Sequence, residues 1–411
     1  MSFLSLLKLP SRIAAILAGF GVVGGIFSSG HAALAFRAVP EHYEDVDALV
    51  MESGPTLLFS DSPEVVYENG IVYKDILEGE SRVFFHHVNG MKGARKLSVL
   101  IRPVDRQATI TWGCRGIGEP DKAYYISALK GQRRYFTEYR NYWQKARKNK
   151  LKKSRKSGKK AQAAVAGAPD YCFYETVPDL PMTKLARGEC LEALSQEPDM
   201  KRAGIRLKPE QLLTGMFDFY ADHPVEVVVM MSDPDEDVKR FSRVGKTLPM
   251  DEHSLRGTYP KADLTYVVKN PIQLRWFQHK ALCLAGSDDQ HFLRGIDGLT
   301  GTETQNYGNY GVVYHVKYSV AGERPIQLGI NPWGGEFYGA AMQISEAQAS
   351  ITNIPHVDQY FGTGFEVDDI FVLSSNHKKI DAEFIWSPPG ASNLPIRVFW
   401  SVKRLENRKK Y

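Results

Sequence analysis

Two stretches of this chain repeat each other at a constant offset of 229 residues: Val83–Val88, Gly93, Arg95 and Leu97–Pro103 match Val312–Lys317, Gly322, Arg324 and Ile326–Pro332. Each copy reads as a strand, a glycine-containing connection and a second strand, so the economical plan is one β-rich unit built twice. Alternation along the strands places Val83 and Phe85 with Leu97, Val99 and Ile101 on one apolar face. Val312 and Tyr314 with Ile326, Leu328 and Ile330 keep that choice in the second copy. His86 and His315 fall on the opposite face beside Ser98 and Gln327, where a polar ring reaches solvent or a cross-strand partner.

The rest of the chain extends the pattern. Val65–Tyr67 and Ile71–Tyr73 flank Asn69-Gly70, a hairpin signal. Further strands are expected at Thr109–Trp112, Ala123–Leu129, Leu212–Tyr220, Val225–Met231, Leu264–Val268, Gln273–Phe277, Ile370–Leu373, Ala382–Trp386 and Ile396–Val402. Helical periodicity is nearly confined to one segment. The fold class expected is therefore all-β, two antiparallel β-sandwich domains related by a weak internal repeat, with one short basic helix or loop inserted. Gly and Pro in Arg256–Pro260 mark the expected boundary, giving domains over 36–255, with the insertion at about 140–168, and 256–411.

Lys8 and Arg12 precede an apolar run from Ile13 to Phe27, and Ala33-Leu34-Ala35 follows. This is the layout of a signal peptide cleaved near Ala35, and the run is shorter than the roughly 20 residues of a membrane span. A secreted or envelope-associated location outside the cytoplasm is the expectation, with no transmembrane span in the mature chain. Spaced glycines at Gly19, Gly21 and Gly24 lie inside this region with no strand before them, so they do not mark a dinucleotide site. In an oxidising compartment Cys114, Cys172, Cys190 and Cys283 allow three pairings. Cys172 with Cys190 would close a short loop, and four free thiols remain the alternative.

Lys145–Lys160 contains ten Lys or Arg and no acid. Without these ten charges and the two of the N-terminal region, the formal +5 becomes −7. The positive charge is one patch on an otherwise acidic protein. Tyr135, Tyr139, Tyr142 and Trp143 recur at helical spacing, so a short amphipathic helix leads into the tract, and the Lys/Ser/Gly/Ala composition beyond Lys150 predicts a loop to about Ala168. Lys148, Lys150, Lys152, Lys153, Arg155, Lys156, Lys159 and Lys160 are the candidate contacts to an anionic envelope polymer. Export makes nucleic acid an unexpected partner, and a solvated insertion that binds nothing is the competing reading.

No nucleophile elbow, zinc-protease helix, phosphate loop or calcium loop occurs, and no cofactor or metal site is expected. Neighbouring His86 and His87 point to opposite faces of a strand and do not chelate one ion together. Acidic clusters at Asp233–Asp237, Asp288–Asp289 and Asp368–Asp369 read as turns, the first of them capping a short helix. Asn306–Gly311 and Trp333–Gly335 gather aromatics and glycines at one end of the second half, which offers Tyr307, Tyr310 and Trp333 for stacking on sugar rings. Turn and core duty is the competing role for the same residues.

Arg256–Pro260, Gly295–Asn309, Tyr310–Tyr314, Asn331–Gly335 and Ser387–Pro395 resemble segments of secreted proteins of uncharacterised function from Gram-positive-type (Firmicutes-type) bacteria. In many of those the region follows a stalk domain similar to the N-terminal domain of copper amine oxidases. The resemblance covers most of residues 60–405; the stalk is absent and the basic tract is an insertion. It implies an envelope-associated protein and carries over no catalytic residue. A non-catalytic structural or adhesive envelope protein is the leading expectation, and a carbohydrate-binding or carbohydrate-active protein the alternative.

Overall fold

A computed structural model describes residues 36–156, 174, 177, 179–252, 255–286, 292–345, 348–355, 362, 369–373 and 377–402. The signal region, Cys172, Lys159 and Lys160 lie outside the described residues. The strands that organise the fold are β1 (Ala48–Ser53), β2 (Thr56–Ser60), β3 (Gly70–Asn89), β4 (Arg95–Pro103), β5 (Ala108–Ile117), β6 (Leu212–Ser232), β7 (Arg256–Tyr259), β8 (Asp263–Val268), β9 (His279–Leu284), β10 (Val313–Gly322), β11 (Gln327–Asn331), β12 (Gly339–Ser345), β13 (Lys379–Trp386) and β14 (Ile396–Ser401). Helix α1 spans Tyr124–Lys156, and α2 spans Val238–Val244. Asp237 caps α2 by accepting from Arg240 N, the helix-start role expected for that acidic run. The fold is all-β in class.

A 12-stranded sheet is built on the two longest strands, β3 and β6, which pair antiparallel along nearly their whole length. Every second residue of β6, from Leu213 through Phe217 and Phe219 to Val225, Val227, Val229 and Met231, enters one core with Val83, Phe85, Leu97, Val99 and Ile101. One core takes residues from both ends of a strand this long because the sheet bends over itself. The bend falls where the β6 register shifts between Ala221 and Val225, opposite Gly79, whose φ of +72° an L side chain resists. Leu212–Tyr220 and Val225–Met231, expected as two strands, are the two arms of this one.

A 6-stranded and a 7-stranded sheet form the second sandwich. Its core unites Tyr314, Val316, Phe384 and Trp386 from one sheet with Leu328, Ile330, Val398 and Trp400 from the other; the Tyr318 and Trp400 rings meet at 5.1 Å across it. Phe84 and Met216, on the reverse face of the first sheet, belong to this core as well.

Several sequence expectations are corrected. The repeated strand pairs are not hairpins: β6 lies between β3 and β4, while β10 and β11 belong to different sheets. What the copies share is the choice of buried face, since all ten aligned apolar residues are buried. His86 and Ser98 do not reach solvent, because their strands are covered on both faces, whereas His315 finds the cross-strand partner that was the other expectation, its Nδ1 lying 2.8 Å from Glu383 Oε1. The Asn69-Gly70 hairpin does not form either. Val65–Val66 pairs parallel with Val88–Asn89, and Gly70 instead lets Leu248 approach, a Cβ there lying 2.5 Å from Leu248 Cδ2.

Strand pairing also ignores the expected boundary at 255/256. β7 pairs with β2 in the first sheet, and β1 pairs with β8 in the second sandwich. Each half covers an edge strand of the other, a general remedy for exposed ladders. Pairing is mixed rather than purely antiparallel, since β2–β3 and β8–β10 run parallel.

Ala123–Leu129, expected as a strand, opens α1, which runs 33 residues instead of forming a short helix. The buried positions Ala128, Gln132, Tyr135 and Ala146, with the half-buried Tyr139 and Tyr142, follow the 3.6-residue period. Gly116 of β5 brings the strand against the Gly131 carbonyl, where any Cβ would collide. Gln132 Nε2 donates to Ser387 O at 2.6 Å, and its Oε1 accepts from Ala340 N at 2.8 Å. Gln132 thereby bonds the helix to the second sandwich, while Gly131 packs it against the first.

The centre of this junction is Arg82. Its guanidinium forks onto Asp218 at 2.8 and 3.1 Å, donates to Asp263 Oδ1 at 2.8 Å, to the Ala262 and Gly311 carbonyls at 3.0 and 3.2 Å, and to Tyr135 Oη at 3.1 Å. Removing one partner of a buried charge network strands the others, at about 3–5 kcal/mol. Arg82→Met should therefore lower the unfolding free energy by about that amount in urea titration; a loss within about 1 kcal/mol would reduce Arg82 to an ordinary exposed pair.

Candidate functional site

The basic tract is helical as far as Lys156. Ala146 packs against Val177 and Leu180, with Tyr142 and Tyr174 beside them, and fixes the last buried turn of α1. Beyond it Lys148, Lys150 and Lys152 are exposed; Lys153, Arg155 and Lys156 continue the helix. Lys145 Nζ lies 5.3 Å from the Tyr142 ring and Arg147 Cζ 5.7 Å from that of Trp143, so aromatic faces steady the first two cations. Among the described residues no acid pairs with Lys145, Lys148, Lys150 or Lys152. Like charges this dense raise each other's energy, and the helix C-terminal dipole offsets only part of that.

The aromatic turns separate in role. Tyr310 is half-buried and donates from its hydroxyl to Ser392 O at 2.9 Å, a structural role. Tyr307 is 60% exposed, its ring edge-on to Phe292 at 5.9 Å. Trp333 is 44% exposed and carries the Arg397 guanidinium 3.5 Å from its ring centroid. Both turns rest on Leu394: a Cβ on Gly308 would lie 3.0 Å from Leu394 Cδ1, and one on Gly334 would strike the Leu394 backbone. Cys190 stands as a free thiol with Sγ 3.9 Å from Met200 Sδ, and its expected partner Cys172 lies outside the described residues.

A third cluster escaped sequence reasoning. Glu64, on the connection after β2, meets His86 of β3, its Oε1 4.0 Å from His86 Nε2, and Asp61 on the same connection lies within the field of Glu64. Asp251 joins from afar, accepting from Glu64 N at 2.8 Å. Burial, then the charges of Glu64 and Asp251, push the Asp61 carboxyl well above the usual range; burial and Asp251 raise Glu64 likewise. His86 is pulled down to about 3 by burial and the neighbouring His87, and its Nδ1 has no hydrogen-bond partner among the described residues. His87 points away, toward Ser60 Oγ and Pro63 O at 2.9 Å each, and burial brings it down to about 4. The divergence of the two rings is what strand alternation requires. The cluster's one sequence signal was the His86-His87 pair; Asp251, 187 residues from Glu64, had none. Among the described residues no group of His, Cys, Asp and Glu is arranged to hold a metal ion, and no helix is long and apolar enough to cross a membrane.

No protein-family model and no curated protein matches the chain. A vicilin structure from Solanum lycopersicum (tomato) aligns over 85% of each chain at 10% identity with a TM-score of 0.13, a likeness that carries no argument.

The neutral imidazoles imply a pH dependence. Folded values near 3 and 4 lie below the ordinary 6.5, so below about pH 6.5 the unfolded chain takes up protons that the fold refuses, and stability falls with acidification. Asp61 and Glu64, raised in the fold, act in the opposite sense over their own window. Unfolding free energy between pH 6 and 4.5 should fall more steeply in the wild type than in His86→Met, by up to about 1.4 kcal/mol per pH unit. Parallel slopes would mean that His86 is not held neutral.

Proposed function

We propose that the protein is an exported, non-catalytic component of the cell envelope that holds an anionic polymer through the cationic end of α1. The carrying observation is the exposed set Lys145, Lys148, Lys150 and Lys152, with no acidic partner among the described residues, on a helix anchored by Ala146, Tyr135 and Gln132. An anchored helix presents its charges at fixed spacing, so an anionic chain displaces counterions without first ordering a loop. The N-terminal signal-like segment and the resemblance to secreted envelope proteins support the location. A β-sandwich scaffold bonded through Arg82 to the same helix suits a load-bearing or adhesive role.

Binding to an immobilised polyanion such as dextran sulfate should be tight at low salt and weaken steeply as ionic strength shortens the Debye length. At about 1 kcal/mol per cation, the triple variant Lys148→Ala, Lys150→Ala, Lys152→Ala should lose on the order of 100-fold in affinity at low salt, measured by biolayer interferometry. Retention equal to wild type, or indifference to salt, would remove α1 as the contact.

A further inference from the structure

We propose that Trp333, Arg397 and Tyr43 form a docking point for an acidic saccharide, a pyranose unit bearing a carboxylate or phosphate. The strand register builds it. Arg397 of β14 sits opposite Asn331 of β11, and Trp333 follows two residues later in the turn leaving that strand. The Arg397 guanidinium carbon lies 3.5 Å from the Trp333 ring centroid and 5.3 Å from that of Tyr43, so the cation is held by two rings. Tyr43 is itself set by an edge contact with Phe399 at 5.2 Å. Aromatic stacking of this kind orients a guanidinium; Nη1 is turned inward, and the Nε–Nη2 edge is the one left for a bidentate anion.

Among the described residues no carboxylate pairs with Arg397, and its Nη1 is shielded from water without a hydrogen-bond acceptor. A half-buried cation with no acid beside it among the described residues is costly, and paired oxygens of a carboxylate or phosphate fit its Nε–Nη2 edge. The aromatic surroundings point to a sugar as the carrier of that group. Trp333 stays 44% exposed with Arg397 against it, and the 60% exposed Tyr307 stands on the neighbouring turn over the same Leu394. Indole and phenol faces pack on the C–H faces of pyranose rings, while the fixed guanidinium reads the acidic substituent.

This inference rests on the reading of the protein as a binder of anionic polymer and adds where a single sugar unit is recognised. Its test separates the two. Trigalacturonate, the neutral galactotriose and glucose 6-phosphate are titrated calorimetrically into the full chain in about 0.3 M salt, where long-range attraction by α1 is screened. The wild type and the α1 triple-lysine variant should bind trigalacturonate alike. Trp333→Ala and Arg397→Lys should each weaken it about tenfold or more, and Trp333→Phe should retain most of it. Galactotriose should bind at least about tenfold more weakly than the acid trimer. Preference for glucose 6-phosphate over trigalacturonate would identify phosphate as the acidic group. Unchanged binding in both Trp333→Ala and Arg397→Lys, equal affinity for galactotriose, or no saturable binding of either acid would overturn the proposal. Loss confined to the triple-lysine variant would overturn it too while leaving the α1 reading intact.

Discussion

Arg82 is the point through which the separate layers hold one another. Its five donors reach a strand of the first sheet through Asp218, the start of β8 through Asp263 and the Ala262 carbonyl, the aromatic turn through the Gly311 carbonyl, and α1 through Tyr135. A lysine at this position would satisfy at most three of these acceptors and lack the planar fork that Asp218 meets. Burying such a cation is worthwhile only when each acceptor is in place, so the network specifies a single relative placement of helix and sheets. Tyr135 adds a hydrogen bond of 2.7 Å to Asp218, which ties the helix to the anion as well as to the cation.

That placement decides what the cationic end of α1 is worth. A charge run on a free loop spends ordering entropy on every contact it makes. In this protein the buried face of α1, from Ala128 through Tyr135 to Ala146, meets that requirement in folding, and the lysines beyond it continue the same helix. Packing and charge are therefore segregated along the helix axis, apolar and aromatic toward the first turns, cationic toward the last. The rim aromatics obey a similar division: Tyr310 is drawn inward by its bond to Ser392, while Tyr307 and Trp333 stay outside on glycine-bounded turns.

Much of the core was readable from alternation, because burial of every second residue is a local property. Val83, Phe85, Leu97, Val99 and Ile101 were assignable to one face without knowing their partners, and they share one core. Pairing was not readable. The β3–β4 and β10–β11 segments look like hairpins because they are adjacent in sequence, yet β6, more than a hundred residues away, completes both β3 and β4 with a longer ladder. The strand expected at Ala123–Leu129 failed for a related reason: its aromatic and β-branched residues suit either structure, and only the continued 3.6-residue period to Ala146 favours the helix. Among the site residues, the cationic tract and Trp333 were visible as composition. Arg397, Tyr43, Glu64 and Asp251 were not, since nothing local distinguishes them from other surface residues.

The amino-acid sequence by itself determined the class of fold, the identity of the buried faces, the helical run of aromatics and the concentration of positive charge in one tract. All of these follow from short-range period and composition, which act wherever the chain goes. Tertiary structure alone decided which strands pair, that the chain crosses between sandwiches at both ends, that His86 and His315 are buried, and that Arg397 stands between Trp333 and Tyr43. The reason is physical. Ladder partners and desolvated charges are selected by long-range closure against the whole surrounding surface, and no local pattern contains that surface.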